Sequence, residues 1–322
     1  MNKQAETMQT AATMPRRLNL EIVGIVLVAV FFLLTPIYVY PVFLMKAMCY
    51  AILGMSVNLL LGYAGMLSFG HAAFFAISAY IFGYVAKEFH FGVLPSLFIG
   101  VAAGTTLGVV FAAIAVRRIE FYFAMTTLAL AQLVYFFCVQ APFTGGDDGL
   151  QGIPRGEIFG FSLRDNTNLY VFVLAIFMLC LLFTYRVVNS PFGEILMAIR
   201  ENSDRVRSLG ENPMSYKFIA FVLSAFLASI GGALKALVFQ IAALPDAHWL
   251  MSGDGVLMAL VGGIGTLIGP IVGALFIVAA QDGLAQIGIS VVVLQGVLFI
   301  ATVLMFRKGI IGELARFKKW FE

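Results

Sequence analysis

Charged side chains are scarce in this chain. Asp, Glu, Lys and Arg together make up 11% of 322 residues, about half the share usual in a soluble domain. A soluble protein of this length needs far more polar surface. Cysteine is equally sparse. Cys49, Cys138 and Cys180 each fall within an apolar stretch, and none sits in a CxxC or metal-ligand spacing. They read as small buried side chains, not as a disulfide framework or a metal site. H-E-x-x-H, G-x-S-x-G and paired-carboxylate constellations are missing too, so no catalytic and no metal-ligating residue is assigned. There is no Walker A pattern, GxxxxGK[ST], and hence no P-loop of the chain's own to hold ATP.

Apolar sequence is what the chain has instead. Hydrophobic residues make up 61%, and the mean hydropathy is +0.98. Stretches of membrane-spanning length recur from residue 21 to residue 306, and lipid is the solvent that tolerates them. The net charge of +3 is spread over short polar segments. It reads as topology information and not as a nucleic-acid footprint. Arg16 and Arg17 stand just before the first apolar stretch, and no small-residue cleavage site clearly follows it. That stretch is expected to be a retained anchor.

The expected spans are 22–38, 42–61, 66–86, 92–116, 121–140, 169–185, 218–240, 255–280 and 283–306. The one at 255–280 is interrupted by Gly262, Gly263, Gly265, Gly269 and Pro270, which do not fit one straight helix. A broken or re-entrant segment fits, provided protein or a polar cavity covers its free backbone. The fold class is therefore an all-α polytopic membrane protein. It has about 8 full transmembrane helices plus the broken segment, about 8–10 in total. Three regions follow: a polar segment 1–20, a membrane domain 21–306 containing a long loop at 186–216, and a basic tail 307–322.

Orientation follows from Lys and Arg placement. With Lys3, Arg16 and Arg17 cytoplasmic, alternation puts Arg117, Arg118, Arg186 and loop 186–216 inside as well. Loop 141–168, with only Arg155 and Arg164, falls outside. A broken crossing at 255–280 returns the tail, with Arg316, Lys318 and Lys319, to the cytoplasm. Both termini are then cytoplasmic.

Polar or helix-breaking residues within apolar spans are the candidates for lining a path: Ser68, His71, Thr126, Thr127, Gly262, Gly263, Gly265 and Pro270. Small residues in the third span and at 228–236 also permit close helix packing. His71 reads as a satisfied packing histidine. Lys46 is placed to snorkel, and Lys235 lies deeper, either structural or facing the path. In loop 186–216, Ile195, Met197, Ile199, Val206 and Leu209 interleave with Arg200, Glu201, Asp204, Arg205 and Arg207. That pattern predicts one or two short amphipathic helices, starting at Ser190–Pro191 and stopping at Gly210. Such helices lie on a membrane or dock into a partner.

Five stretches carry a family resemblance: NLLLGYAGMLSFGHAAFFAISAY (58–80), FYFAMTTLALAQ (121–132), TGGDDGL (144–150), SPFGEILMAIRENSDRVRSLGENPMSYK (190–217) and LMALVGGIGTLIGPIVGA (257–274). In this order they resemble the branched-chain amino acid ABC permeases, specifically the LivM-type subunit. The resemblance implies one transmembrane half of an importer in the bacterial inner (cytoplasmic) membrane. It implies a homologous LivH-type permease as partner, LivG- and LivF-type subunits that use ATP and magnesium, and a periplasmic amino-acid-binding protein. It implies no cofactor in this chain, no nucleic acid, and coupling to the ATPases through Ala198, Arg200, Glu201, Asn202, Arg205 and Gly210. Met66 and Phe69 depart from the Gln and Leu of many relatives. Urea permeases belong to the same broad family, so urea or another small amide is the alternative substrate. An ion-coupled transporter would need internal repeats and buried coupling carboxylates, neither of which is clear. A lipid-acting enzyme would have only Asp246, His248 and Asp254 to work with.

Overall fold

The computed structural model describes residues 21–118, 120–158 and 160–285, with scattered positions between 293 and 310. The expectations for residues 1–20, for most of the final span, for the tail 307–322 and for the side of the membrane of both termini lie outside the described residues. Two units are distinguished, Met1–Tyr40 and Pro41–Glu322. The described part of the first is an apolar helix, α1 (Glu21–Ile37), whose last turn tightens to 3-10 geometry at Thr35–Ile37.

The second unit is built from helices. They are α2 (Pro41–Asn58), α3 (His71–Glu88), α4 (Val93–Ala115), α5 (Glu120–Gln140), α6 (Asn166–Val188), α7 (Pro191–Glu201), α8 (Ser203–Ser208), α9 (Pro213–Phe239), α10 (Trp249–Gly262) and α11 (Gly269–Ala285). Four two-residue strands close the loops: β1 (Leu150–Gln151) pairs with β4 (Ile241–Ala242), and β2 (Glu157–Ile158) with β3 (Phe161–Ser162). Five helical segments are long and apolar enough to cross a membrane, at 41–63, 93–115, 121–140, 166–188 and 213–239. Shorter apolar helices accompany them. The protein is thus a multi-pass, helical membrane protein.

Burial divides the five long segments. The apolar window of α2 is 89% buried and that of α9 78%, against 33%, 28% and 39% for α4, α5 and α6. α2 and α9 form the interior, and α4, α5 and α6 turn apolar faces outward, as helices against lipid do. α9 packs on α2, α3 and α4. Small residues set these distances. A Cβ on Gly232 of α9 would lie 1.9 Å from the Phe75 carbonyl oxygen of α3, and one on Gly104 of α4 would lie 2.9 Å from that of Phe74. The side chain of Ser78 on α3 donates to the Ser229 carbonyl of α9 at 2.5 Å. Small residues at the interface let two backbones approach and bond across it.

The third expected span needs correction. Its first residues, from 66 to 70, are not helical; α3 begins at His71 and is almost wholly buried. The segment between α5 and α6 is anchored to the end of α9: Arg155 donates to the Val238 carbonyl, and the Ile153 amide donates to the Gln240 carbonyl at 3.1 Å. A cation at a helix C-terminus satisfies carbonyls that the helix leaves free. α6 and α9 therefore run from this segment at one end of the bundle to α7–α8 at the other.

Candidate functional site

Two helices break, and the breaks meet. α2 widens into a π-turn at Leu59–Tyr63, after which residues 64–70 run irregularly until α3 starts. α10 ends at Gly262, and α11 starts at Gly269. The sequence at both is alike. G-x-x-G-x-L occurs at 62–67 and again at 262–267. The second glycine of each copy adopts the left-handed conformation, Gly65 at φ 71° and Gly265 at φ 76°, where a Cβ is strained. A short glycine-containing pattern thus recurs at both breaks.

Polar groups tie one break to the other. Asn58 donates from Nδ2 to the Thr266 carbonyl at 2.9 Å and accepts from the Gly265 amide at Oδ1, at 2.8 Å. Thr266 Oγ1 donates to the Gly263 carbonyl at 2.8 Å and accepts from the Gly269 amide at 3.1 Å. Backbone groups released by the breaks thus find partners inside the protein. Gly262 passes so close to Gly269 that a Cβ would lie 1.7 Å from the latter's carbonyl oxygen. Pro270 does not kink a helix; it sits in the first turn of α11, where its missing N–H costs nothing.

The path candidates of the first break are committed to holding it. Ser68 is buried and accepts from the Gly70 amide at 3.1 Å. Thr127, also buried, accepts from the Phe69 amide at 3.2 Å and joins α5 to the break. His71 Nε2 lies 2.6 Å from Ser224 Oγ. That hydroxyl donates to the Ser56 carbonyl at 2.7 Å, so the imidazole is the donor in the pair. Thr126 stays apart, donating to the Tyr122 carbonyl of its own helix at 2.7 Å.

Loop 186–216 forms two short helices, α7 and α8, hinged at Asn202. Its side chain accepts from the amides of Asp204 and Arg205, both at 3.0 Å, a conventional N-cap. Gly210, at φ 92°, ends the pair. Ile199 and Val206 are buried, whereas Met197, Ala198, Glu201, Arg205 and Leu209 are exposed. Arg200 is exposed too, but it makes a contact that its neighbours do not. Its Nη1 donates to the Gly62 carbonyl, one of the groups the first break sets free. Its stem lies along Gly65, where a Cβ would be 2.8 Å from Arg200 Cγ. A cavity of about 230 Å³ opens beside it, lined by Met66, Arg118, Phe123, Arg200, Glu201 and Lys217 among others.

Two lysines of the apolar segments are paired with aspartates. Lys235 bonds to Asp246 and lies 5.6 Å from the ring centre of Tyr50, so it does not snorkel. Lys46 is paired too; its Nζ lies 2.5 Å from Asp282 Oδ1 on α11.

A membrane bundle with paired helix breaks and an amphipathic helix pair joined to them is the architecture of a transport permease. Residues 41–305 match the family described as branched-chain amino acid transport system / permease component, and the chain belongs to that family. It is 28% identical over 264 residues to the high-affinity branched-chain amino acid transport system permease protein LivM of Salmonella typhimurium, covering 73% of this chain and 61% of that protein. To the probable branched-chain amino acid transport permease protein LivM of Methanocaldococcus jannaschii it is 28% identical over 224 residues, 58% of this chain and 64% of the relative. A shorter match, 31% over 117 residues and a third of each chain, is to the autoinducer 2 import system permease protein LsrC of Photorhabdus laumondii. The chain spans about three fifths of the length of the LivM relatives it matches, 61% for the Salmonella protein. No solved structure matches it.

Proposed function

We propose that the protein is one transmembrane half of an ATP-driven importer of branched-chain amino acids, of the LivM type, in the bacterial inner membrane. A homologous permease completes the path. Two ATP-binding subunits, using ATP and magnesium, dock on loop 186–216, and a periplasmic binding protein delivers substrate at the opposite end. Residues 21–306 act as the permease domain, with both termini cytoplasmic.

The observation that carries this reading is the bond from Arg200 to the Gly62 carbonyl. A docking helix that only lay on the membrane would have no need of it. The exposed residues Met197, Ala198, Glu201, Arg205 and Leu209 offer an outward surface to the ATPases, and Asn202 is the hinge. Arg200, exposed as well, also reaches inward to the Gly62 carbonyl. Motion of α7 pulls on Gly62, and through Asn58 on Gly265, so that both breaks feel it. A hydrogen bond from a charged donor is worth about 1.5–3 kcal/mol net, enough to bias two arrangements of a broken helix.

Reconstitution of the complete complex in vesicles tests the reading. Wild type is expected to accumulate radiolabelled leucine on ATP hydrolysis. Arg200→Ala is expected to assemble and hydrolyse ATP with uptake reduced at least tenfold. Accumulation of urea in place of leucine, or uptake driven by an ion gradient without ATP, overturns it.

A further inference from the structure

α4 and α9 pack in opposite directions: Gly104 of α4 faces Ser229 of α9, and Gly108 faces Ala225. The last turns of α4 therefore lie against the first turns of α9, at the end of the bundle that carries α7–α8. A groove of about 390 Å³ opens there. Its walls are apolar, with Ala112 and Val116 from the end of α4 and Met214, Phe218 and Ile219 from α9. Met214 and Ile219 are exposed. Arg117, exposed as well, stands at the rim, directly after the last apolar residue of the span.

Other cations stand beside it. Arg118 and the half-buried Lys217 line the neighbouring cavity together with Arg200, against one carboxylate there, that of Glu201. Among the described residues, neither Arg117 nor Lys217 forms an ion pair. Helix electrostatics favours arginines after the end of α4, but it gives no reason for an apolar groove below them. Lys217 is near the start of α9, where the helix dipole offers a cation nothing. The apolar window of α4 is only 33% buried, so the groove opens toward hydrocarbon while its arginine sits where the span ends. An amphiphile with an apolar chain and an anionic head complements both parts. A zwitterionic head would bring its own cation to a site already rich in them.

We propose that this groove seats an acyl chain of an anionic phospholipid from the leaflet on the α7–α8 side, with the lipid phosphate at Arg117 and the charges of Arg118 and Lys217 beside it. The site does not depend on which substrate the permease carries. In the sequence, Arg117 and Arg118 served only as markers of topology. The groove beneath them joins residues about a hundred positions apart, and no local pattern encodes it.

Photolabelling of the complete complex in phosphatidylcholine nanodiscs tests the site. One probe is phosphatidylglycerol with a diazirine in its acyl chain, and the other is phosphatidylcholine with the same chain. The phosphatidylglycerol probe is expected to label residues 112–116 and 214–219 about fivefold more than its partner, the worth of one basic residue near an anionic membrane surface. Arg117→Gln should bring the two probes level, whereas Arg164→Gln, an exposed arginine at the opposite end, should leave the ratio unchanged. High salt applied to the wild type should also narrow the ratio, which keeps the test open if Arg117→Gln fails to fold. Excess inorganic phosphate should not displace the probe; if it does, the basic cluster is a site for free anions and the lipid reading fails. Strong labelling by both probes alike would make the groove ordinary lipid-facing surface. Weak labelling by both, as a groove covered by a partner subunit would give, likewise overturns the proposal.

Discussion

Asn58 and Gly265, 207 residues apart in the chain, are joined by a hydrogen bond of 2.8 Å from the glycine amide to the side-chain oxygen. The same side chain donates to Thr266. One amide group at the end of α2 therefore holds the break between α10 and α11 against the break between α2 and α3. A broken helix in a membrane survives only if its freed backbone groups are satisfied, and Asn58 does this for two of them at once.

Replacing Asn58 by alanine leaves the Gly265 amide and the Thr266 carbonyl without their partner. Each orphaned group costs about 1–3 kcal/mol, so a clear fall in the thermal unfolding temperature of the detergent-purified complex is expected. Identical unfolding temperatures for wild type and Asn58→Ala would show that the breaks are held together by something else.

Glycines of α10 should behave oppositely under the same substitution. Gly253→Ala meets nothing within 4 Å and gains about 0.5–1 kcal/mol from better helix propensity. Gly262→Ala places a methyl 1.7 Å from the Gly269 carbonyl oxygen, which the two backbones cannot accommodate without parting. Folded yield and unfolding temperature should stay level or rise for the first and collapse for the second. Equal tolerance at both positions would contradict the close approach of the two half-helices.

The contact between Gly65 and Arg200 separates strain from transmission. Gly65→Ala carries the left-handed penalty of about 1–2 kcal/mol and also displaces the arginine stem, 2.8 Å from the new methyl. Gly210→Ala, at φ 92° with nothing within 4 Å, carries strain alone. In reconstituted vesicles Gly65→Ala should lower leucine uptake per ATP hydrolysed, approaching Arg200→Ala, while Gly210→Ala keeps the wild-type ratio. A matching loss in both would assign the effect to strain.

Much of this was legible in the sequence, and the reasons are physical. Apolar length marked the long helices. Helical spacing of Ile199 and Val206 among charges marked α7 and α8, with Pro191 and Gly210 at their ends. The break at Gly262–Pro270 showed itself because proline and clustered glycine are incompatible with a straight helix. Gly62–Gly65 already stood between two expected spans, but the irregular run on to residue 70 escaped notice because 66–69 is apolar save for Ser68 and carries no proline. The recurring G-x-x-G-x-L was its one signal. Pairings such as Lys46 with Asp282 and Arg200 with Gly62 join residues 236 and 138 positions apart, and no local pattern encodes them. Loop 186–216 announced an interface, but not that Arg200 bonds to the Gly62 carbonyl.

The two lysine–aspartate pairs allow a last prediction, because they differ in burial. Lys235 and Asp246 are 14% and 7% exposed, whereas Lys46 and Asp282 are 21% and 42% exposed. Removing one partner of a buried pair leaves an uncompensated charge and costs about 3–5 kcal/mol, while replacing both by apolar groups of similar volume is often neutral. Lys235→Met and Asp246→Leu should each destabilise the complex strongly, and the double variant should recover most of the loss. For Lys46→Met the expected cost is at most about 1 kcal/mol, since this pair is the more exposed of the two. A double-mutant cycle on unfolding temperature reads both pairs. If Lys235→Met and Asp246→Leu simply add, the two charges do not interact.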